Sequence, residues 1–159
     1  MSNSRVDWHG SFAVIVTPFT KEGAIDEPGY RAVVEQVIDA GCHGIISAGS
    51  TGEFFLMNDD ERKHVFSMAV DQAKGRIPII AGTSATKTSD VIELTKGALA
   101  VGCDGAMVLP PIYIEVDDNE LVDFYTRVAN ETGLPIMLYN SPFAVRNYLK
   151  PPVVSKLME

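Results

Sequence analysis

Apolar runs recur along this chain about every 30 residues, and the stretches between them carry helical spacing. The runs centre near residues 15, 46, 79, 107 and 137. Thirty residues is roughly the length of one strand, one helix and their two turns, so the rhythm predicts βα units and a parallel sheet. Ser11–Thr17 reads as a buried strand ending at Pro18. Asp26 offers an N-cap, and Tyr30–Ala40 carries Val33, Val34, Val37 and Ile38 at helical spacing, with Gly41 as a stop. Gly44–Ala48 is the second strand. Asn58 and Glu61 have capping-box spacing and open a helix through Lys74. Ile77–Ala81 is strand three, Thr88–Val101 helix three and Ala106–Leu109 strand four. Asp117 and Glu120 open a helix that runs to Gly133, Leu134–Asn140 is strand five, and a last helix starts near Pro151.

The chain also repeats itself. Ala40-Gly41-Cys42-His43-Gly44-Ile45-Ile46 matches Val101-Gly102-Cys103-Asp104-Gly105-Ala106-Met107, two units later. Ile77-Pro78-Ile79-Ile80 matches Leu134-Pro135-Ile136-Met137 in the same way. Alternate strands sharing an environment is the pattern of a closed barrel, whose odd and even strands fill alternate layers. A complete (β/α)8 barrel takes about 250 residues, whereas 159 residues hold five strands. Two architectures therefore stay open on this ground: a TIM barrel truncated after about five βα units, with residues 1–159 as one incomplete domain, and a complete flavodoxin-like doubly wound domain. Length favours the second and the two-unit repeat the first.

Charge and cysteine content narrow the function classes. With 13 Lys and Arg against 21 Asp and Glu, the formal charge is −8 and the pI about 4.8. No basic excess is available to neutralise phosphates, so no nucleic-acid or anionic-membrane partner is expected. No run approaches the roughly 20 apolar residues of a membrane span, and the opening MSNSRVDWHGSF lacks the apolar core of a signal peptide. Two cysteines far apart suggest neither a disulfide scaffold nor a zinc site, which makes a soluble cytoplasmic protein the expectation.

Three strand ends carry the chemistry. Gly49-Ser50-Thr51-Gly52-Glu53 follows strand two, and its hydroxyls and glycine backbone can donate to a carboxylate or phosphate. The same residues also suit a plain strand-to-helix turn, and the Ser-Thr-Gly order leaves FMN or nucleotide binding open, although the GK[ST] ending of a Walker loop is missing. Tyr139, in Leu138-Tyr139-Asn140-Ser141-Pro142, ends strand five, and Tyr113 follows strand four in Pro110-Pro111-Ile112-Tyr113. Either tyrosine can pass a proton or simply close the rim of the core. Together the three ends predict a convergent hydroxyl cluster. His64 falls on a solvated helix face, Cys42 and Cys103 serve packing at helix-to-strand turns, and no metal-ligand motif is present.

These residues, in this order and spacing, resemble the dihydrodipicolinate synthase / N-acetylneuraminate lyase family of class I, Schiff-base aldolases and lyases on a (β/α)8 barrel. The resemblance runs from Val16-Thr17-Pro18-Phe19 through Gly49–Glu53, Asp60-Glu61-Arg62 and Ile79-Ile80-Ala81-Gly82-Thr83 to Tyr139-Asn140-Ser141-Pro142. It implies a 2-oxo acid substrate such as pyruvate, bound as an imine to a lysine, with no cofactor and no metal. It implies that Gly49, Ser50 and Thr51 bind the substrate carboxylate, that Ser50 joins a proton relay with Tyr139, and that Tyr113 is a second relay tyrosine reaching across the interface of a homo-oligomer, a dimer or tetramer.

Three departures from the family pattern stand out. The Schiff-base lysine is expected near position 167, beyond Glu159, and Lys150 and Lys156 lie in or before the last helix rather than on a barrel strand. Serine replaces the synthase's usual threonine at position 50, which keeps the hydroxyl. Ala144 stands where the synthase has a substrate-binding arginine, with Arg146 two positions on, which counts against aspartate semialdehyde as second substrate. A non-catalytic half-barrel pairing through open sheet edges beside Ala81 and Tyr139 is the remaining alternative.

Overall fold

A computed structural model describes residues 6–159; the first five residues of the stretch read above for a leader lie outside it. The order along the chain is β1 (Phe12–Val14), α1 (Glu27–Asp39), β2 (Gly44–Ser47), α2 (Asp59–Ala73), β3 (Ile79–Gly82), α3 (Thr88–Val101), β4 (Gly105–Val108), α4 (Asp118–Thr132), β5 (Ile136–Leu138) and α5 (Pro151–Leu157). The starts of α1, α2 and α4 follow the capping chemistry, whereas α3 and α5 begin without a side-chain cap. Asp26 accepts from Gly29 N–H at 3.1 Å, and Asn58 with Glu61 and Asp117 with Glu120 both form complete capping boxes. Gly102 and Gly133 close α3 and α4 in the left-handed conformation. Lys74 adopts that conformation itself at the end of α2, ahead of Gly75.

The strands are shorter than the apolar runs, for local reasons. Pro78 has no N–H to give a ladder, so β3 starts at Ile79, although the Pro78 carbonyl still accepts from Ile45 N–H. At β5, Leu134 N–H turns back to Thr132 Oγ1 and the Asn140 side chain pairs with Leu149, which leaves three residues in the ladder. The run Ser11–Thr17 pairs only over Phe12–Val14, and Thr17 directs its hydroxyl at the Gly52 carbonyl. A 3-10 turn at Phe54–Leu56 was not expected from the sequence.

All five strands are parallel and lie in the order β1-β2-β3-β4-β5. This corrects the flavodoxin-like alternative and its FMN site. That fold needs the order 2-1-3-4-5, with the first strand inside the sheet and ligand at the reversal, whereas here β1 is an edge and nothing reverses. The half-barrel alternative is corrected in one respect: Ala81 lies on the central strand, paired with Ser47 and Ala106, so the open edges are β1 and β5. Each helix packs on the next in chain order. The helices bury Ile45, Ile79, Ala81, Ala106 and Val108 beneath Tyr30, Val34, Val65, Phe66 and Leu121. The other face carries Ile46, Ile80 and Met107 in a smaller cluster with Val6 and Phe12. Among the described residues no helix is long and apolar enough to cross a membrane.

Candidate active site

The loop after β2 is held tightly from both sides. Ala48 and Glu53 take the left-handed conformation, with φ of 49° and 57°, a strain of about 1 kcal/mol or more each that only a well-determined surround tolerates. Between them the chain passes so close to β1 that a Cβ at Gly49 would lie 2.9 Å from Val14 Cγ1, and one at Gly52 2.9 Å from the Ile15 carbonyl. Thr17 Oγ1 donates to the Gly52 carbonyl at 2.8 Å, and Glu53 N–H closes a turn on the Ser50 carbonyl. The outcome is a rigid backbone that presents Ser50 half-buried and Thr51 exposed.

The three predicted strand ends lie at the same end of the sheet and hold different surroundings. Ser50 lines a cavity of about 750 Å³ with Phe54, Met57, Arg62, Ser84 and Leu109. Tyr113 is 83% exposed, has φ of 79°, and borders a shallower concavity with Phe143 and Arg146. Ile112, Ala144 and Val145 line both hollows and so form the wall between them. Tyr139 follows β5 directly, donates its backbone N–H to the Val108 carbonyl at 2.9 Å, and packs half-buried on the face that holds Ile46, Ile80 and Met107. Among the described residues no hydrogen bond joins Ser50, Thr51, Tyr113 and Tyr139 to one another. Ala144 and Arg146 are both exposed, and Arg146 faces the Tyr113 hollow rather than the cavity beside Ser50.

Two side chains that the sequence reading left without a role organise these loops. Arg62 is 4% exposed. Its guanidinium donates to the Gly82 carbonyl at 2.5 Å and sits 5.1 Å from the Phe54 ring centroid, tying the end of β3 to the turn that follows the Ser50 loop. Its Nε has no partner, and burial holds its pKa down to about 10, with Asp59 opposing the shift. The signal was present: Arg62 falls on the stripe Val65, Phe66, Ala69, Ala73 that α2 buries, where a cation is out of place unless it has a partner. Asn147, 3% exposed, had no comparable signal, because its partners are backbone groups of a loop more than thirty residues away.

Other polar groups near the site serve the scaffold. Thr95 donates to Thr83 and Tyr30 shares a 2.6 Å bond with Ser47, both beneath the helices. Burial raises the pKa of Tyr30 and of Tyr125. Burial also pushes the Cys103 thiol up to about 12, which suits packing rather than reactivity. His64 is exposed and pairs with Glu27 at 2.8 Å. No group of three His, Cys, Asp or Glu side chains among the described residues is arranged to hold a metal ion.

Residues 7–159 match the family model described as the Dihydrodipicolinate synthetase family. A curated relative from Rhizobium meliloti, an uncharacterized DapA-like lyase, is 46% identical over 138 residues, which is 87% of this chain and 46% of that protein. A 4-hydroxy-tetrahydrodipicolinate synthase from Hyphomonas neptunium is 38% identical over 94% of this chain and 51% of its own length. Among solved structures, a prophage protein of the dihydrodipicolinic acid synthase family from E. coli K12, in complex with pyruvate, superposes with a TM-score of 0.92 at 35% identity, over 95% of this chain and 51% of that one. The chain thus spans about half the length of the curated relatives it matches.

Proposed function

Because the chain belongs to the dihydrodipicolinate synthetase family, we propose that it supplies the first five units of a (β/α)8 barrel lyase or aldolase acting on pyruvate or a related 2-oxo acid. The observation that carries this reading is the sequential parallel order of the strands, with Ser50 and Thr51, Tyr113 and Tyr139 all beyond the C-terminal ends of β2, β4 and β5. Ligands of parallel barrels are bound at that end. The sheet face that carries Tyr139 is open at the β1 edge, where Val14 and Val16 stand 38% and 49% exposed, as suits a sheet that three further strands complete into one domain. The prophage protein solved with pyruvate supports the substrate class.

In this mechanism the 2-oxo acid's carboxylate accepts hydrogen bonds from the Ser50 and Thr51 hydroxyls and from loop amides at Gly49. A lysine beyond residue 159 adds its neutral amine to the keto carbon, and the keto oxygen leaves as water. The oxygen must gain protons that the amine gives up, and Tyr139 with Ser50, joined across the oligomer interface by the Tyr113 of a neighbouring copy, carries them as a hydroxyl relay. Phe55, Leu56, Tyr113, Ile114 and Phe143 stand exposed on the same loops, which supports a homo-oligomer meeting at this end. The two free cysteines support a reducing, cytoplasmic setting.

Borohydride reduction of the full-length protein with pyruvate, read by mass spectrometry, tests the reading. A pyruvyl adduct on one lysine is expected, while the 159-residue chain alone should give none. A full-length protein that takes no adduct would sink the idea.

A further inference from the structure

Tyr113 combines two properties that do not sustain each other. Its φ of 79° is left-handed, a conformation that a bulky residue keeps only where the surround imposes it. Yet within one chain its side chain is 83% exposed, so packing of the ring inside its own chain supplies little of that constraint. The backbone on both sides of it is held instead by one buried side chain. Asn147 Nδ2 donates to the Pro111 carbonyl and to the Ile114 carbonyl, both at 2.7 Å, and its Oδ1 accepts from Val116 N–H at 3.0 Å. Two donors and one acceptor on one planar group are what an amide provides and neither a carboxylate nor a hydroxyl does. An aspartate here would set carboxylate oxygen against two carbonyl oxygens.

Asn147 is itself fixed from the other predicted relay tyrosine. Asn140, the residue after Tyr139, donates from Nδ2 to the Leu149 carbonyl at 3.0 Å and accepts from Leu149 N–H at 3.1 Å. That pair closes the loop 140–149 on which Asn147 stands. Inside it, Ser141 accepts from the N–H groups of Ala144 and Val145. The β4 loop bearing Tyr113 is therefore hung from the β5 loop that leaves Tyr139.

We propose that Asn147 is a positioning residue, holding Tyr113 in its left-handed backbone and linking its placement to the strand end that carries Tyr139. The proposal rests on the reading of Tyr113 as a proton-relay group. Without the three bonds, Tyr113 relaxes to negative φ and its hydroxyl swings away from the reacting atoms, while the carboxylate-binding loop at Ser50 is untouched. The defect is then one of rate and not of pyruvate binding.

The test uses the full-length protein with Asn147→Ala, Tyr113→Phe and the double variant. It reads the maximal rate of borohydride-trapped imine formation, the pyruvate concentration for half-saturation, and amide hydrogen exchange over residues 111–116. Asn147→Ala should lower the maximal rate about tenfold, the scale of a misplaced proton-transfer group, leave half-saturation within about twofold, and speed exchange at Val116 N–H. In the Tyr113→Phe background the same change should cost nothing more, because the hydroxyl it positions is gone. Asn147→Asp keeps the acceptor and loses both donors, and should reproduce the rate defect if the alanine variant does not fold. Unchanged exchange and rate overturn the proposal, as does a rate loss equally large in both backgrounds. Tyr113→Phe with full activity overturns the relay role and the positioning role with it. Absence of any imine in the unaltered protein overturns the functional reading instead, and the exchange data then decide Asn147 alone.

Discussion

On the helix-covered face of the sheet Ile45, Ile79, Ala81, Ala106 and Val108 are each no more than 2% exposed; on the opposite face only the central Ile80 is fully buried, Ile46 and Met107 stand at 5% and 6%, and Val14 and Val16 rise to 38% and 49%. Composition does not separate the two faces, since both are aliphatic. Cover does. Helices seal the first, while the second is filled at its N-terminal end by Val6, Trp8 and Phe12 and left open toward Tyr139. A Cβ at Gly105 would press on the Trp8 ring at 3.0 Å, so the plug is close-fitting where it exists. Stability is thus concentrated at one face and one end, and the residues of chemical interest lie where the packing thins.

Adjacent isoleucines on β2 break or uphold this contrast. Ile45 faces the helices and Ile46 the thinner cluster, so Ile45→Ala should cost about 3–4 kcal/mol and Ile46→Ala about 2 kcal/mol, since a site that can relax toward solvent keeps a smaller cavity. Urea denaturation of both variants measures the gap, and equal losses would mean that the two faces are equally packed. Arg62→Ala comes next. It strands the Gly82 carbonyl and uncovers Phe54, at a cost of about 2 kcal/mol, whereas Arg62→Met should lie nearer the parent because it sheds the desolvated charge while keeping the side-chain volume over Phe54. The same denaturation series reads both, and a methionine variant as unstable as the alanine one would show that the charge itself holds the loop.

The contrast also marks what the sequence could and could not reveal. Element order, capping boxes and the strand-end loops follow from periodicity and local chemistry, which act over a few residues and are written in them. The choice between doubly wound sheet and barrel segment was not local. Five βα units satisfy either, and only the pairing order separates them, so the two-unit repeat pointed toward the barrel without excluding the alternative. At the site, Ser50, Thr51, Tyr113 and Tyr139 were legible as hydroxyls at strand ends. Arg62 was legible as a member of the segment Asp60-Glu61-Arg62, but its burial and role follow only from the stripe it shares with Val65, Phe66, Ala69 and Ala73. Asn147 was not legible at all, since no spacing rule connects residue 147 with the carbonyls at 111 and 114.

The outer side of the helix layer offers a smaller effect, with a sign that can be worked out. Arg76 forms a two-pronged pair with Glu35 at 2.6 and 2.7 Å, and Gln72 also donates to that carboxylate. The Arg76 and then the Gln72 hydrogen bonds hold the Glu35 pKa down to about 2, against an ordinary 4.5. A depressed carboxylate contributes stability above its unfolded pKa and loses it as pH falls through the folded one. The pair should therefore tie α1 to the turn that follows α2 at neutral pH and release it between about pH 4.5 and 2. Exposure keeps the effect small. Comparing melting temperatures at pH 6 and pH 3 for the parent and Glu35→Gln should show a shallower acid loss in the variant. Parallel losses would place the acid sensitivity elsewhere.

The smallest expected change is also the most pointed. Ile15 and Val16 are neighbours just beyond β1, the first 3% exposed and the second 49%. Val16→Thr swaps a methyl for a hydroxyl of the same size where water already reaches, so in the 159-residue chain it should move stability by no more than about 0.5 kcal/mol. If the open face is the interior of a barrel that further strands close, the same substitution in the full-length protein buries an unpartnered hydroxyl and should cost about 1–3 kcal/mol. The comparison of one substitution in two lengths of chain isolates the covering of that face from everything else β1 does. Equal, near-zero effects in both would mean that Val16 faces water in the complete protein too, and the open face would then have to be read as a surface and not as half of a core.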